Sequence, residues 1–113
     1  MNQHPWVDEL PAAVTVCDAE GKIIQMNAKA VETFAADGGT KLIGANVLDC
    51  HPEPSRTLLK DIMDKRATNV YTIEKRGVKK LIYQTPWFRD GRYAGHVELS
   101  FEIPWDLPHH KRD

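Results

Sequence analysis

The stretch from Leu10 to Asn27, LPAAVTVCDAEGKIIQMN, places the strongest limits on how this chain folds. Ala13 to Asp18 is apolar and rich in β-branched residues, which favours a strand. The DAEG that follows is a turn signal, because an Asp side chain can bond the amides ahead of it and Gly allows a positive φ. Lys22 to Met26 forms the returning strand, and Asn27 is a good N-cap for a helix. The chain therefore begins with an antiparallel hairpin that leads directly into a helix.

Two helices are predicted in the middle of the chain. The first follows Asn27, has the sequence AKAVETFA, and ends at Asp37-Gly38-Gly39. A connecting segment around Gly44 spans residues 41–48. The second helix runs from Ser55, as its N-cap, to Ala67. Its apolar residues recur at helical spacing, namely Leu58, Leu59, Ile62 and Met63.

From Asn69 the apolar pattern changes to a period of two, which predicts three strands. The first covers residues 70–74 and the second has alternating apolar side chains up to Trp87; Asp90-Gly91 is then a strong hairpin signal. The last strand has an apolar face with Tyr93, Gly95, Val97, Leu99, Phe101 and Ile103, and a second face with Ala94, His96, Glu98, Ser100 and Glu102. We expect His96 and Glu98 to be exposed or to lie in a dimer interface.

This order of elements predicts an α+β domain in which helices cover one face of a single antiparallel sheet. At 113 residues the chain is long enough for one core and too short for two. We expect residues 1–10 to be a lead-in segment, residues 11–104 the domain, and residues 105–113 a linker or tail.

Composition argues against several classes of function. The formal net charge of −1 gives no general attraction to nucleic acid or to an anionic membrane. There is no secretory signal and no apolar run near the ~20 residues that span a bilayer, so we expect a cytoplasmic protein. Cys17 and Cys50 are too few for a disulfide framework. No common metal-binding or nucleotide-binding motif is present.

The whole arrangement resembles a PAS domain, a small sensory module of signalling proteins. The resemblance covers about residues 8–104 and rests on Asp18 and Gly21 in the first hairpin, Asn27, the LIGAN of residues 42–46, and the Asp90-Gly91 hairpin. The DCHP of residues 49–52 is also similar to a variant in bacterial PAS domains. The resemblance implies a five-stranded antiparallel sheet of order 2-1-5-4-3. Its concave face and the covering helices would enclose a small cavity.

The resemblance also implies a function without catalysis. Such a module binds a small molecule or a partner and relays a signal to an attached or separate output domain. Thr15 and Cys17 would face the cavity. Trp6 and Trp105 flank the domain where PAS domains usually carry dimer-forming and output-linked helices, and large aromatic side chains are enriched in interfaces. We expect a homodimer, with the N-terminal segment packed on the outer sheet face of its own or a partner subunit.

The resemblance limits the cofactor. Light-sensing flavin domains place a reactive Cys directly after the segment corresponding to Gly44-Ala45-Asn46. That residue is Val47 here, so photoactive flavin chemistry is not expected. Cys50 comes three residues later, about 270–300° further round if the segment is helical. Citrate-type sensors hold carboxylates with clustered Arg, Lys and His between transmembrane segments, and neither context is visible.

Haem is the alternative cofactor. Haem-binding PAS domains typically use a His on the long helix, which has none here, so the candidate axial ligand is His51, just upstream. Neutral imidazole ligates iron well, but the macrocycle needs an apolar pocket. The residues that could contribute to that pocket are Leu58, Leu59, Ile62, Tyr71 and Tyr83.

Cys50 and His51 also suggest a function of another class, a small thiol enzyme. Adjacent side chains usually diverge, however, and a nucleophile needs hydrogen-bond contact with its base. Redox sensing by Cys50 is a further interpretation, because a neighbouring imidazolium can lower a thiol pKa. The basic cluster of Lys75, Arg76, Lys79 and Lys80 is expected to be a solvated hairpin tip, and no direct nucleic-acid binding is expected.

Overall fold

A computed structural model describes residues 4–113 of the chain. Its elements are α1 (Pro5–Asp8), β1 (Ala13–Asp18), β2 (Ile23–Met26), α2 (Ala28–Thr33), three short 3-10 helices (Ala35–Asp37, Gly39–Leu42 and Val47–Cys50), α3 (Ser55–Asp64), β3 (Asn69–Lys75), β4 (Val78–Arg89) and β5 (Arg92–Ile103). The strands form one antiparallel sheet in the order β2-β1-β5-β4-β3. The predicted α+β class and strand order are confirmed.

The first hairpin forms as its sequence predicts. One carboxylate oxygen of Asp18, Oδ1, accepts from the amides of Glu20 at 3.0 Å and Lys22 at 2.9 Å. Gly21 takes a φ of +89°, which a residue with a side chain rarely adopts. The turn is therefore specified by two residues, an acceptor at its start and a glycine before the returning strand.

Asn27 does more than cap α2. Its Oδ1 accepts from the Ala30 amide at 3.0 Å, as a cap should, and also from the Val14 amide at 2.9 Å. Its Nδ2 donates to the carbonyls of Val7 and Ala12, each at 2.8 Å. Only 1% of the residue is exposed. Asn27 thus joins α1, β1 and α2 through one fully satisfied buried amide.

The LIGAN segment lies along the free edge of β2. The Ile23 amide donates to the Ala45 carbonyl, and the Ile23 carbonyl accepts from the Gly44 amide, both at 2.8 Å. Asn46 extends the contact by donating from Nδ2 to the Glu20 carbonyl. The segment therefore satisfies part of an edge that would otherwise be open.

Helix α3 departs from the prediction at both ends. Ser55 is its first residue and makes no capping bond; instead Oε1 of Glu53 accepts from the Thr57 amide at 3.0 Å and its hydroxyl at 2.7 Å. The helix ends at Asp64, three residues before the predicted end. Leu59 and Met63 form the buried side of the helix, whereas Leu58 is 62% exposed. The apolar stripe is therefore narrower than its spacing suggested.

The strand register turns the polar face of β5 toward the helices. Directly opposed residues of an antiparallel pair share a face, and the pairs Cys17–His96 and Thr15–Glu98 lie on the side that packs against Leu59. His96 is 5% exposed and Glu98 is half-buried. Their predicted exposure is wrong, because alternation defines two faces without saying which one is covered.

The opposite face of the sheet is apolar. Val14 pairs with Leu99, and Leu99 pairs with Tyr83 on its other side, so all three lie on this outer face. The same register adds Val16, Val70, Leu81, Val97 and Phe101. On β5, therefore, the polar residues face the helices and the apolar residues face outward.

Gly95 allows an unusually close approach of β5 to β1. Its φ is +146°, and a Cβ at this position would collide with the carbonyl oxygen of Cys17. The same oxygen accepts a hydrogen bond from Nε1 of Trp87 at 3.0 Å. Trp87 is opposite Gly95 in the β4–β5 register. Because Gly95 has no side chain, Trp87 on β4 can reach across β5 and bond the backbone of β1.

Candidate functional site

A cavity of about 310 Å³ lies between the inner sheet face and the helical middle of the chain. Its apolar wall comes from both layers and consists of Ile23, Met26, Phe34, Leu42, Val47, Ile73 and Ile82. Its polar lining consists of Thr15, Thr33, Asp37, Cys50, His51, Tyr71, Lys75, Lys80, Glu98 and Ser100. This volume is at the lower end of the roughly 300–1,000 Å³ of ligand pockets.

Two further spaces adjoin the cavity. One holds about 40 Å³ beside Cys17, Leu59 and His96. The other is a groove under α3 that includes Leu58, Leu59, Ile62 and Tyr71. His51 lines both spaces and the main cavity as well. It is therefore the side chain at the junction of all three.

The structure brings most of the predicted cavity residues together. Thr15 and Tyr71 line the main cavity, Cys17 and Leu59 line the small space, and Leu58 and Ile62 reach only the groove. Tyr83 is the exception. It lies on the outer sheet face opposite Leu99 and Val70, so its predicted place in the cavity is wrong. Residues on β4 alternate between the two faces of the sheet, and the apolar residues at positions 81 and 83 lie on the outer face.

A polar ladder crosses three strands of the inner face. Nδ2 of Asn69 donates to Oε1 of Gln84 at 3.2 Å, and Nε2 of Gln84 donates to Oε1 of Glu98 at 2.9 Å. Gln84 is buried, and the ladder satisfies its amide. Sequence reasoning did not find this ladder. Its signal, a polar residue at matched positions on adjacent strands, becomes visible only once the register is known.

The predicted basic cluster is divided between the two faces of the β3–β4 hairpin. Lys75 and Lys80 line the cavity, whereas Nζ of Lys79 lies 5.7 Å from the ring centre of Trp105. Trp105 also donates from Nε1 to the Gly77 carbonyl at 3.2 Å. The expectation of a solvated hairpin tip therefore holds for Lys75 and Arg76, which are exposed, whereas Lys79 and Lys80 are half-buried.

His51 is held by a backbone carbonyl. Its Nδ1 lies 2.8 Å from the carbonyl oxygen of Val47, one helical turn earlier. A carbonyl can only accept, so Nδ1 carries the proton and neutral His51 presents a bare Nε2. Within residues 4–113, Nε2 has no hydrogen-bond partner.

Cys50 and His51 are not arranged as a catalytic pair. The thiol of Cys50 bonds the Asn46 carbonyl at a sulfur–oxygen distance of 3.5 Å, and His51 bonds the carbonyl of Val47. Burial, followed by the nearby carboxylates of Asp49 and Asp37, raises the pKa of the Cys50 thiol. The lowered thiol pKa suggested by its histidine neighbour is therefore wrong.

Val47 opens a 3-10 helix that ends at Cys50. Residues three apart eclipse one another in such a helix, because it has 3.0 residues per turn. Cys50 is therefore on the same side as Val47, rather than 270–300° away as in an α-helix, and both line the cavity. Val47 also packs against both groups of buried core residues. An apolar side chain thus occupies the position that corresponds to the reactive Cys of flavin photosensors.

Within residues 4–113, no three His, Cys, Asp or Glu side chains come close enough to hold a metal ion. Nor does any helix in that part of the chain have the length and apolar character needed to cross a membrane.

Comparisons with known proteins agree with this architecture. The family model described as PAS fold matches residues 7–103. The chain therefore belongs to the PAS fold family, which confirms the resemblance read from its motifs. A direct comparison with curated protein sequences gave no significant match.

Three solved structures illustrate the shared fold. The C-terminal domain of a Streptococcus mutans protein has a TM-score of 0.73 and 17% identity, covering 88% of this chain and 81% of that one. The PAS domain of BvgS from Bordetella pertussis has a TM-score of 0.66 and 17% identity, covering 91% and 85%. The Aer2 receptor from Vibrio cholerae, described as a dual PAS-haem oxygen sensor, has a TM-score of 0.64 and 17% identity, covering 82% and 95%. At these identities the likeness concerns the fold alone.

Proposed function

We propose that this PAS domain is a non-catalytic sensory module that binds a small molecule in its central cavity and relays binding to an output domain. The observation that supports this best is the cavity of about 310 Å³, which is lined by both apolar and polar side chains. Pockets of this composition bind small ligands, because apolar surface provides affinity and polar groups provide orientation. The domain limits, 11–104 with flanking segments 1–10 and 105–113, and the cytoplasmic location stay predictions.

The relay would run through the C-terminal end of β5. This strand supplies Glu98 and Ser100 to the cavity and then leads to Trp105, which bonds the Gly77 carbonyl. A ligand that moves the β3–β4 hairpin would therefore also move the start of the C-terminal segment. Such a relay requires the ligand to favour one of two arrangements of these elements.

A homodimer is part of this proposal. The outer sheet face is apolar, and Tyr83 and Val70 on that face are exposed. Trp6 on α1 is 67% exposed, and α1 is held to the domain by the bond between Asn27 and Val7. A contiguous apolar face of this kind is typical of an interface. Light scattering at increasing concentration should give twice the monomer mass, and a persistent monomer would contradict this part.

The ligand-binding part can be tested by filling the cavity. Ser100→Leu places an apolar side chain among the cavity residues, and Thr72→Leu likewise replaces a hydroxyl side chain by leucine on the outer face, opposite Leu81. Small molecules that raise the thermal midpoint of the wild-type protein and of Thr72→Leu should have no effect on Ser100→Leu. If no compound in a broad metabolite collection binds, and native mass spectrometry finds none co-purified, the ligand-binding proposal is wrong.

The geometry of His51 favours a second candidate, a haem-binding gas or redox sensor. The carbonyl of Val47 fixes the proton on Nδ1, which leaves Nε2 as the nitrogen that would bind iron. The cavity volume and its polar wall count against a macrocycle, so we place this candidate second. Haem-loaded protein should show a Soret band, and His51→Ala should abolish it. An unchanged spectrum in that variant would exclude His51 as the ligand.

We propose no thiol enzyme. The supporting observation is that Cys50 and His51 each bond a different backbone carbonyl. A nucleophile that is not bonded to its base gains no activation from it.

A further inference from the structure

Two groups among the ten polar residues that line the cavity lie well apart on the sheet. Thr15, Ser100 and Glu98 lie on β1 and β5, whereas Lys75 and Lys80 lie at the β3–β4 hairpin. Lys80 is four residues from Gln84, the partner of Glu98, so about 13 Å of strand separates the two positions. Ile82 lies between them on β4, with Tyr71 and Ser100 as its partners on the neighbouring strands, and Ile73 lies directly opposite Lys80. A ligand that lies along β4 would therefore meet the ammonium group of Lys80, the apolar side chains of Ile73 and Ile82, and then the carboxylate of Glu98.

Most of these groups have unused hydrogen-bonding capacity. Among the residues that the structure describes, neither lysine forms an ion pair, and the hydroxyls of Thr15 and Ser100 have no hydrogen-bond partner. Glu98 uses Oε1 to accept from Gln84, and its other carboxylate oxygen has no partner. The buried and half-buried groups among them, Thr15, Lys80, Glu98 and Ser100, gain most from a ligand that supplies the missing partners, whereas Lys75 is exposed to solvent.

The lysines define one end of the ligand. Lys80 has Glu102 directly opposite on β5, yet the two side chains form no ion pair, and Lys80 contributes to the cavity instead. Lys75 lies on the same face of the hairpin. Two ammonium groups at one end of an apolar space match a carboxylate, since a charge-assisted hydrogen bond is stronger than a neutral one.

Glu98 defines the other end. A carboxylate can only accept hydrogen bonds when it is ionised. The hydroxyls of Thr15 and Ser100, its neighbours on the cavity wall, can donate or accept. This end therefore suits a hydroxyl or amino group, which can donate to Glu98 and bond a neighbouring hydroxyl.

We propose that the cavity binds small amphiphilic carboxylates, with the acid group at Lys75 and Lys80, an apolar body along Ile82, and a hydrogen-bond donor at Glu98. This inference rests on the proposed ligand-binding function and names the class of ligand. It also gives the two lysines a role that their place in a basic turn did not suggest.

The test uses four probes of equal chain length in calorimetric titrations of the purified chain. They are 8-hydroxyoctanoate, octanoate, 1,8-octanediol and octylamine. We expect 8-hydroxyoctanoate to bind roughly tenfold or more tightly than the diol, which lacks the acid, and several-fold more tightly than octanoate, which lacks the donor. Octylamine should bind more weakly than 8-hydroxyoctanoate, because its ammonium group can bond Glu98 but it has no acid group for the two lysines.

Matched variants assign the two ends. Lys80→Gln should reduce the advantage of 8-hydroxyoctanoate over the diol to less than about threefold, and Lys80→Arg should restore it. Lys79→Gln removes the same charge from the outer face of the same hairpin and should leave all four affinities unchanged. Glu98→Gln should reduce the advantage of 8-hydroxyoctanoate over octanoate.

The outcomes separate the ligand class from the function. If the diol or the amine binds as tightly as the carboxylates, small-molecule binding stands and the proposed class is wrong. An acid preference that survives Lys80→Gln would also overturn the proposed site. If none of the four probes binds, but other compounds raise the thermal midpoint of the wild-type protein and not that of Ser100→Leu, only the proposed ligand class is wrong. If no compound binds at all, the proposed function fails with it.

Discussion

Nδ2 of Asn27 donates to the carbonyl of Val7 at 2.8 Å, across twenty residues of sequence. The same side chain bonds the amides of Val14 and Ala30, so it fixes the entry of the chain, the first strand and the first helix together. A change at this one position should therefore loosen the N-terminal segment as well as lower the stability of the core.

We expect Asn27→Ala to lower the free energy of unfolding by about 3–5 kcal/mol, because the buried amides of Val14 and Ala30 and the Ala12 carbonyl lose the partner that Asn27 supplies, and the Val7 carbonyl keeps only its bond from the Leu10 amide. Asn46→Ala is the control, since its two side-chain bonds are more exposed and should be worth about 1 kcal/mol. Urea unfolding measures both. Equal losses in the two variants would contradict the central role of Asn27.

Asn27→Asp should separate the two functions of this side chain. Asp keeps an oxygen for the amides of Val14 and Ala30 but turns an ionised oxygen toward the carbonyls of Val7 and Ala12. Hydrogen exchange of residues 7–10 should become faster than in the wild type, with far smaller changes in the first turn of α2. Unchanged protection of residues 7–10 would show that α1 is held by other contacts.

Gly95→Ala should lower the free energy of unfolding by about 2–4 kcal/mol, because the new methyl group meets the Cys17 carbonyl and the backbone φ is +146°. The bond between Trp87 and that carbonyl should be lost with it, which tryptophan fluorescence can report. Gly77→Ala is the control: its φ is +78°, but no atom lies within 4 Å of the new methyl group. Its cost should be about 1–2 kcal/mol.

Stability should fall as the solution becomes alkaline. Burial raises the pKa of the Cys17 thiol above 9.0 and the pKa of the Tyr71 and Tyr93 phenols above 10.0. The folded state keeps these protons to higher pH than the unfolded state, so their contribution is complete below pH 9 and is lost above it. Urea midpoints at pH 8 and pH 10 measure the loss, which Cys17→Ala should reduce. A midpoint that rises with pH would contradict the sign.

Cys50 should react slowly with iodoacetamide at pH 7, although it is exposed. Its pKa is raised above 9.0 by partial burial and by Asp49 and Asp37, so less than about 1% of it is thiolate at neutral pH. The rate should be below that of an unstructured cysteine peptide and should rise about tenfold for each pH unit up to pH 9. Asp37→Asn should increase it. A rate above that of the peptide would favour redox sensing by Cys50.

Features set by neighbouring residues were predictable from the sequence. The Asp18 turn and the Asn27 cap depend on side-chain bonds to amides two to four residues ahead, and the strands from residue 69 onward are joined in sequence by two tight turns; each forms where its residues indicated. The strand order came from the resemblance, which joins these local elements in a known arrangement. The remaining errors at α3 are local too, since Glu53 supplies the hydrogen bonds that Ser55 was expected to make.

Which face of the sheet the helices cover could not be predicted from neighbouring residues. Alternation along β5 separates His96 from Val97, but only pairing with β1 and packing of α3 decide that His96 is covered. His96 is accommodated there because the hydroxyl of Tyr93 and the carbonyl of Ala67 bond its two nitrogens. The assumption that the apolar face of a strand points toward the helices gave β5 the wrong orientation. The same assumption placed Tyr83 on β4 in the cavity.

The position of the Gly44–Asn46 segment beside Ile23 limits how copies of this sheet can join edge to edge. That segment occupies part of the four-residue strand β2, whereas β3 offers seven residues along the opposite border. Two copies that meet through their β3 borders would form one continuous ten-stranded sheet with a short, partly closed border at each end. Growth by strand addition would then stop at two molecules, which keeps such a sheet from extending into a fibre.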